Sequence, residues 1–437
     1  MNQVSPSTQA APGARVALDT PASLRHRLGR SAVTVRTADG RPLADTEVEV
    51  AQTRHAIGFG NIGFDFVAVA NGETDAVPDS PFGGAHPSQG ERLAELWFDL
   101  FNVATLPFYW GGFEPERGHP DTQRLLRTAQ WFVERGAIVK GHPLAWHTMA
   151  PAWLNDLSTA EVEAAVRARI TREVTDFRGV VDLWDAINEV VIMPVFDKEE
   201  NGLTRLCQQL GRVETVRLAF ETARAANPGI TLLLNDFNMS PAYEHLIEEC
   251  LAAGIQIDAL GLQSHMHQGY WGEDKTLSVL ERFARFGLPL HLTETTLLSG
   301  HLMPAEIEDL NDYQIPSWPS TPEGEARQAD EVTRHYRTLV GHPAVQAITY
   351  WGITDDGAWL GAPGGLVRAD GTAKPAYDAL HDLVKRDWWL APTTVRTDAD
   401  GRLEVEGFLG EYRVSAAGRT GALVLDATAA PTEVIVT

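Results

Sequence analysis

Between residues 56 and 386 the chain alternates short apolar runs with longer stretches whose apolar positions recur every three or four residues. The short runs are AIGFGNI, NVATLPFYW, AIVKGHPLAWH, VDLWDAINE, TLLLNDFN, ALGLQSHMH, LPLHLTET and AITYWGITDD. The stretches between them include DTQRLLRTAQWFVERG, TAEVEAAVRARITREVTDF and VETVRLAFETARAAN. Each of these carries an apolar stripe on one helical face. Parallel strands buried on both faces read as unbroken apolar runs, and their crossovers are helices. Eight such repeats predict an α/β fold, a (β/α)8 TIM barrel over 56–386. An open doubly wound sheet is the competing arrangement. It is disfavoured because no Gly-rich phosphate loop follows the first strand.

The chain ends have another texture. In SAVTVRTADGRPLADTEVEVAQT, Val33 and Val35 alternate with polar residues before an Asp39-Gly40 turn, and Val48 and Val50 after it. This period of two predicts two strands around that turn. Residues 387–437 hold further short alternating strands with Gly turns, and TVRT followed closely by ADGR occurs in both segments. Each segment is too small to bury a core alone. The expectation is one small β-sandwich built from 29–55 and 387–437. Residues 1–28, rich in Ala, Pro, Ser and Thr, are expected to be a flexible arm.

Charge changes the picture of partners. The formal net charge is −23. Nucleic acid and anionic membranes both need a basic footprint, so neither is an expected partner, and a neutral substrate fits. The two cysteines, Cys207 and Cys250, lie far apart in helix-like stretches. They read as buried free thiols, with neither a disulfide framework nor a zinc spacing. No stretch is long enough to span a membrane, and no apolar h-region follows the first Met. The sequence as given therefore leads to the expectation of a cytoplasmic protein, or of a secreted one if a leader has been removed.

Seven of the eight apolar runs turn polar or aromatic at their C-terminal end. They supply Tyr109 and Trp110; His142, Trp146 and His147; Asn188 and Glu189; Asn235, Asp236 and Asn238; Gln263, His265 and His267; Glu294; and Trp351, Asp355 and Asp356. In a barrel these ends converge on the face where active sites are built. Two carboxylates across one mouth, Glu189 and Glu294, suit glycoside hydrolysis. One stays protonated for the leaving oxygen and the other is ionised to attack the anomeric carbon. Asn188 can donate to a sugar hydroxyl, and tryptophan faces suit sugar rings. Asp236 and Asp355 are rival carboxylates that could equally hold loops. A metal-dependent hydrolase built on His265, His267, His142, His147 and His291 is a further alternative. The paired histidines of such barrels belong on the first strand, and here they follow the sixth.

The fragments GHPLAWH, WDAINE, LNDFN, GLQSH, TET and WGITDDGAWL occur in this order over about 220 residues. Together they resemble glycoside hydrolase family 10, retaining β-glycosidases that are mostly endo-β-1,4-xylanases on a (β/α)8 barrel. The resemblance implies Glu189 as acid/base and Glu294 as nucleophile, with a carbohydrate or glycoside substrate and no cofactor or metal. It also implies that His142, Trp146, Asn188, Gln263, His265, Trp351 and Trp359 shape the subsite of the sugar being cleaved. His147 and Asn235, at neighbouring strand ends, are added as candidate contacts.

Two departures from that family bear on substrate. Xylanases of the family usually carry Thr-Pro-Glu-Asn and then Lys-Trp after the second strand. Here TLPFYWGGFEPERG places Phe108, Tyr109 and Trp110 there. The usual Asp two residues past the nucleophile is Thr296. The stretch LSGHLMPAEIEDLNDYQIPSWPSTPEGEARQ after the seventh strand is long, and loops of that length are normally functional. It offers Tyr313 and Trp318 as contacts. The expectation is retained chemistry in an altered, shorter cleft, acting on short β-xylosides, other β-glycosides or a glycoside with an apolar aglycone. An ordinary endo-β-1,4-xylanase is the first alternative and a non-catalytic carbohydrate-binding barrel the second. The second would normally have lost one glutamate, and both are present.

Overall fold

The computed structural model describes residues 15–17, 21–74 and 85–437. Eight parallel strands form a closed barrel. They are β1 (Gly58–Ile62), β2 (Val103–Pro107), β3 (Ile138–His142), β4 (Leu183–Asn188), β5 (Thr231–Asp236), β6 (Ala259–His265), β7 (Leu290–Thr296) and β8 (Val345–Tyr350). Each pairs with its sequence neighbours, and β8 closes on β1. All eight coincide with the apolar runs read from the sequence. Helices cover the crossovers for the reason the pattern gives. In Thr159–Asp176, Val162, Val166, Ile170 and Val174 recur at the helical period and are all buried. Ser158 and Glu161 start that helix with a reciprocal capping box.

The outer face of the barrel packs against its helices, so a large residue there needs a small neighbour on the adjacent strand. Trp184 on β4 is fully buried, and a Cβ at Gly141 on β3 would lie 2.2 Å from its ring. Gly141 is therefore the space that admits Trp184. Trimming such a tryptophan to Ala removes about 3–5 kcal/mol of stability.

Two compact units divide the chain: Met1–Ile57 with Asp382–Thr437, and Gly58–His381. The first is a sandwich of two four-stranded sheets. One is ordered Arg15–Ala17, Arg402–Phe408, Leu28–Thr37, Thr432–Val436; the other is ordered Thr393–Arg396, Glu47–His55, Gly410–Ala416, Arg419–Leu425. The strands either side of Asp39-Gly40 thus enter different sheets rather than pairing with each other. Val33, Val35, Val48 and Val50 are each at most 1% exposed and share one core. Two strands with one apolar face each bury more by facing across a sandwich than by lying side by side. Most of the arm expected over 1–28 lies outside the described residues. Where it is described, Arg15–Ala17 pairs with the Arg402–Phe408 strand and Ala22–Arg27 forms a 3-10 helix. Cys207 and Cys250 are free and buried. Among the described residues no helix is long and apolar enough to cross a membrane.

Candidate active site

Strand β4 delivers Glu189 to the barrel mouth in an unusual backbone state. The Glu189 N–H donates to the Asn235 carbonyl at 2.9 Å, yet its φ is 55°. A left-handed glutamate is strained, and such strain collects at functional sites. The carboxylate accepts from the Trp146 indole N–H at 2.8 Å and from the Gln263 amide at 3.2 Å. Burial, followed by the charges of Glu294 and Asp236, pushes its pKa up to about 8. Its surroundings therefore favour the protonated form.

Glu294 lies within β7 and meets the opposite field. It accepts from Asn235 Nδ2 at 3.1 Å, and His265 Nε2 stands 3.1 Å from its other oxygen. His142 Nε2 lies 3.9 Å away. Burial alone would raise this carboxyl, but the two histidines outweigh it and hold the pKa below the ordinary glutamate value. Each histidine has support behind it. His142 Nδ1 is 2.6 Å from Asp185, which sits 2.7 Å from the Lys140 ammonium. His265 Nδ1 is 3.0 Å from the Thr296 hydroxyl. Lys140, His142 and Asp185 are almost wholly buried, so their mutual pairing is what makes that burial tolerable.

A shared amide frame sets the two carboxylates. Asn235 donates to both Asn188 Oδ1, at 2.8 Å, and Glu294, and it accepts from the Thr293 hydroxyl at 2.7 Å. Gln263 donates to Asn188 Oδ1 at 3.1 Å as well as to Glu189. A Cβ at Gly261 would lie 2.2 Å from Asn235 Oδ1, so only glycine leaves room for this frame. Aromatic faces surround it. Trp351 packs edge-on to His142 at 5.4 Å, Trp359 lies 4.8 Å from His265, and Tyr109 is 5.7 Å from His142 and 5.6 Å from Trp146. Burial and then the charges of Glu294 and Glu189 drive the Tyr109 hydroxyl well above its ordinary pKa.

Other residues singled out from the sequence fall elsewhere. Trp110 is buried, donates to Glu114 at 2.9 Å and lies under the Arg169 guanidinium at 4.7 Å. Phe108 packs on Trp184 and Phe177 in the apolar interior. The run of three aromatics therefore does not wall the cleft as a unit, and Tyr109 alone joins the carboxylate group. Tyr109 precedes a single helical turn, Trp110–Phe113, which rotates the next side chain away. His147 stacks edge-on to Phe196 at 4.5 Å, and burial lowers its pKa to about 4. Trp318 gives its N–H to the His301 carbonyl at 2.9 Å and packs on His301 and Tyr313 within the long loop after β7. Asp236 caps the β4 and β5 turns by accepting from Val191 and Asn238, and Asp355 pairs with buried Lys374 at 2.7 Å. Among the described residues no cluster of His, Cys, Asp and Glu could hold a metal ion. Sequence reasoning missed Lys140 and Asp185. The signal was there, a charge inside an apolar strand run, but not the partner.

Residues 101–383 match the family model described as glycosyl hydrolase family 10. Endo-1,4-beta-xylanase B of Thermotoga neapolitana is 26% identical over 316 residues, covering 68% of this chain and 84% of its own. Endo-1,4-beta-xylanase 3 of Hypocrea jecorina is 25% identical over 288 residues, covering 63% of this chain and 73% of its own. Among solved structures, xylanase 10B of Thermotoga petrophila in complex with xylobiose superposes with a TM-score of 0.59 at 23% identity, over 76% of this chain and 94% of that one. With a barrel of this topology and two facing glutamates at its mouth, this chain belongs to glycosyl hydrolase family 10 and is a glycoside hydrolase of the xylanase type.

Proposed function

We propose that the protein cleaves short β-glycosides by double displacement with retention. Glu189 serves as acid/base and Glu294 as nucleophile. The observation that carries this reading is the opposite surroundings of two neighbouring carboxyls, one bonded by Trp146 and Gln263 and the other facing His142 and His265. These surroundings push the Glu189 pKa up to about 8 and hold that of Glu294 below the ordinary glutamate value. In the first step Glu294 attacks the anomeric carbon while Glu189 protonates the departing oxygen. In the second, ionised Glu189 takes a proton from water, which displaces Glu294 from the sugar. Neither step calls for a cofactor.

His142, Trp146, Asn188, Gln263, His265, Trp351 and Trp359 hold the sugar being cleaved, with Tyr109 closing one side. The substrate is a β-xyloside or related β-glycoside, and its aglycone can be apolar. In support, exposed large apolar residues stand on three loops at this end of the barrel: Val195 after β4, Phe237 after β5 and Leu302 after β7. Kinetics on aryl β-xylosides, aryl β-glucosides, xylo-oligosaccharides and polymeric xylan test the reading. Short substrates are expected to be preferred; rapid release of mixed oligosaccharides from xylan would make the enzyme an ordinary endo-xylanase, the activity named for the relatives above.

A further inference from the structure

Glu189 and Glu294 stand at the ends of β4 and β7, which are not neighbours in the barrel. The loops that follow these two strands nevertheless meet. Lys198, on the loop after β4, places its ammonium 3.1 and 3.3 Å from the two Asp312 oxygens and 3.5 Å from Asp309, both on the loop after β7. In the closed ring a link between positions four and seven is a chord that skips the two strands between them. It leaves the ends of β5 and β6 on one side, and those of β8, β1, β2 and β3 on the other.

Both feet of this chord are built. The β4 loop is fixed by the Val191 N–H on Asp236 at 3.1 Å, by Phe196 against the His147 ring, and by Asn155 on the Glu200 carbonyl at 2.9 Å. The β7 loop packs Leu298, Met303 and Trp318 into an apolar cluster with Ala362 of the loop after β8. Gln268 ties it to the β6 loop through the Pro304 and Ile307 carbonyls at 3.0 and 2.7 Å. Rings lead from it to the nucleophile's neighbour: Trp318 to His267, His267 to Trp359, and Trp359 to His265.

We infer that Lys198, Asp309 and Asp312 form an arch over the site and determine which substrates reach it. This rests on the assignment of Glu189 and Glu294 above. A sugar whose scissile bond lies between those carboxyls passes beneath the arch. A chain end or a short glycoside can thread there, whereas the middle of a long chain cannot be laid in from above. The ion pair is exposed, so it acts as a latch on loops that are otherwise pinned, and salt weakens it.

The test uses a β-1,4-xylo-oligosaccharide carrying a bulky fluorophore at one end or at both. Wild type should cleave the doubly capped sugar with a kcat/KM at least about ten-fold below that of the singly capped one, since a blocked end prevents threading. Lys198→Glu should narrow that ratio by roughly five-fold, the scale of losing an exposed ion pair and adding repulsion. Combining it with Asp309→Lys and Asp312→Lys should restore the wild-type ratio, and 1 M salt should narrow the ratio in wild type. Equal cleavage of both sugars by wild type, or a ratio unmoved by Lys198→Glu, overturns the arch alone. Failure to cleave even the singly capped sugar overturns the functional reading and the arch with it.

Discussion

The ends of β4 and β7 present the same residue type to the same barrel mouth, and their surroundings push it in opposite directions. Burial raises the pKa of both Glu189 and Glu294. At β4 the next contributions are also raising, because Glu294 and Asp236 add negative charge, and the bonds from Trp146 and Gln263 do not cancel them. At β7 two imidazoles face the carboxylate, one of them backed by Asp185 and Lys140. Desolvation sets the sign common to both groups, and the nearest cationic or donor neighbours set the difference. A pair of carboxyls pushed apart in this way is what separates an acid from a nucleophile.

The comparison is broken most severely by removing the β7 member. Glu294→Ala should abolish turnover of every substrate, a loss on the order of 10⁴–10⁶-fold as for other catalytic nucleophiles. Removing the β4 member should give a split result. Glu189→Ala should slow glycosides with poor leaving groups by about 10²–10⁴-fold and activated aryl glycosides far less in the first step, because a phenolate departs with little protonation. Equal losses on both classes, measured by pre-steady-state release of the aglycone, would mean that Glu189 is not the acid.

The pH profile sharpens the same contrast. With the proposed roles, activity needs Glu294 ionised and Glu189 protonated. The kcat/KM bell should have its acid limb below the ordinary glutamate range and its alkaline limb near the value of about 8 held by Glu189. Stability carries the same signature. The folded-state pKa of Glu189 is raised from 4.5 to about 8, so its contribution is full below 4.5 and is lost as pH climbs through that window. Glu189→Gln should therefore melt like wild type at pH 4 and higher than wild type at pH 8, by calorimetry.

Among the aromatics the smallest of these effects is expected, and it separates two adjacent residues. Tyr109→Ala should weaken substrate binding by about 1–3 kcal/mol, as loss of a pocket contact does. Trp110→Ala should lower the melting temperature instead and leave KM nearly unchanged, since Trp110 serves Glu114 and Arg169. A KM effect larger for Trp110 than for Tyr109 would reverse that placement.

Much of this arrangement is legible along the chain, and the gaps have physical causes. Barrel strands are readable because burial on both faces makes them continuous apolar runs, and Asn188-Glu189 stands out where such a run should end. The strands at 28–37 and 47–55 were readable as strands but not as partners. Alternation says that one face is apolar without saying which sheet it covers. The run Phe108-Tyr109-Trp110 could not be resolved into two rings buried away from the site and one beside it, because a single turn of helix after β2 decides where each ring points. Lys140 and Asp185 were visible as charges in apolar runs, but their pairing across β3 and β4 follows only from barrel closure.

The most direct test of the central assignment is covalent capture. An activated 2-deoxy-2-fluoro-β-xyloside slows both steps but allows the first to accumulate a glycosyl-enzyme. Incubation followed by proteolysis and tandem mass spectrometry should find one fluoroxylosyl group, on the peptide of β7 and on Glu294. An adduct on Glu189 or Asp236, or hydrolysis with inversion of the anomeric proton signals and no adduct at all, would contradict the account.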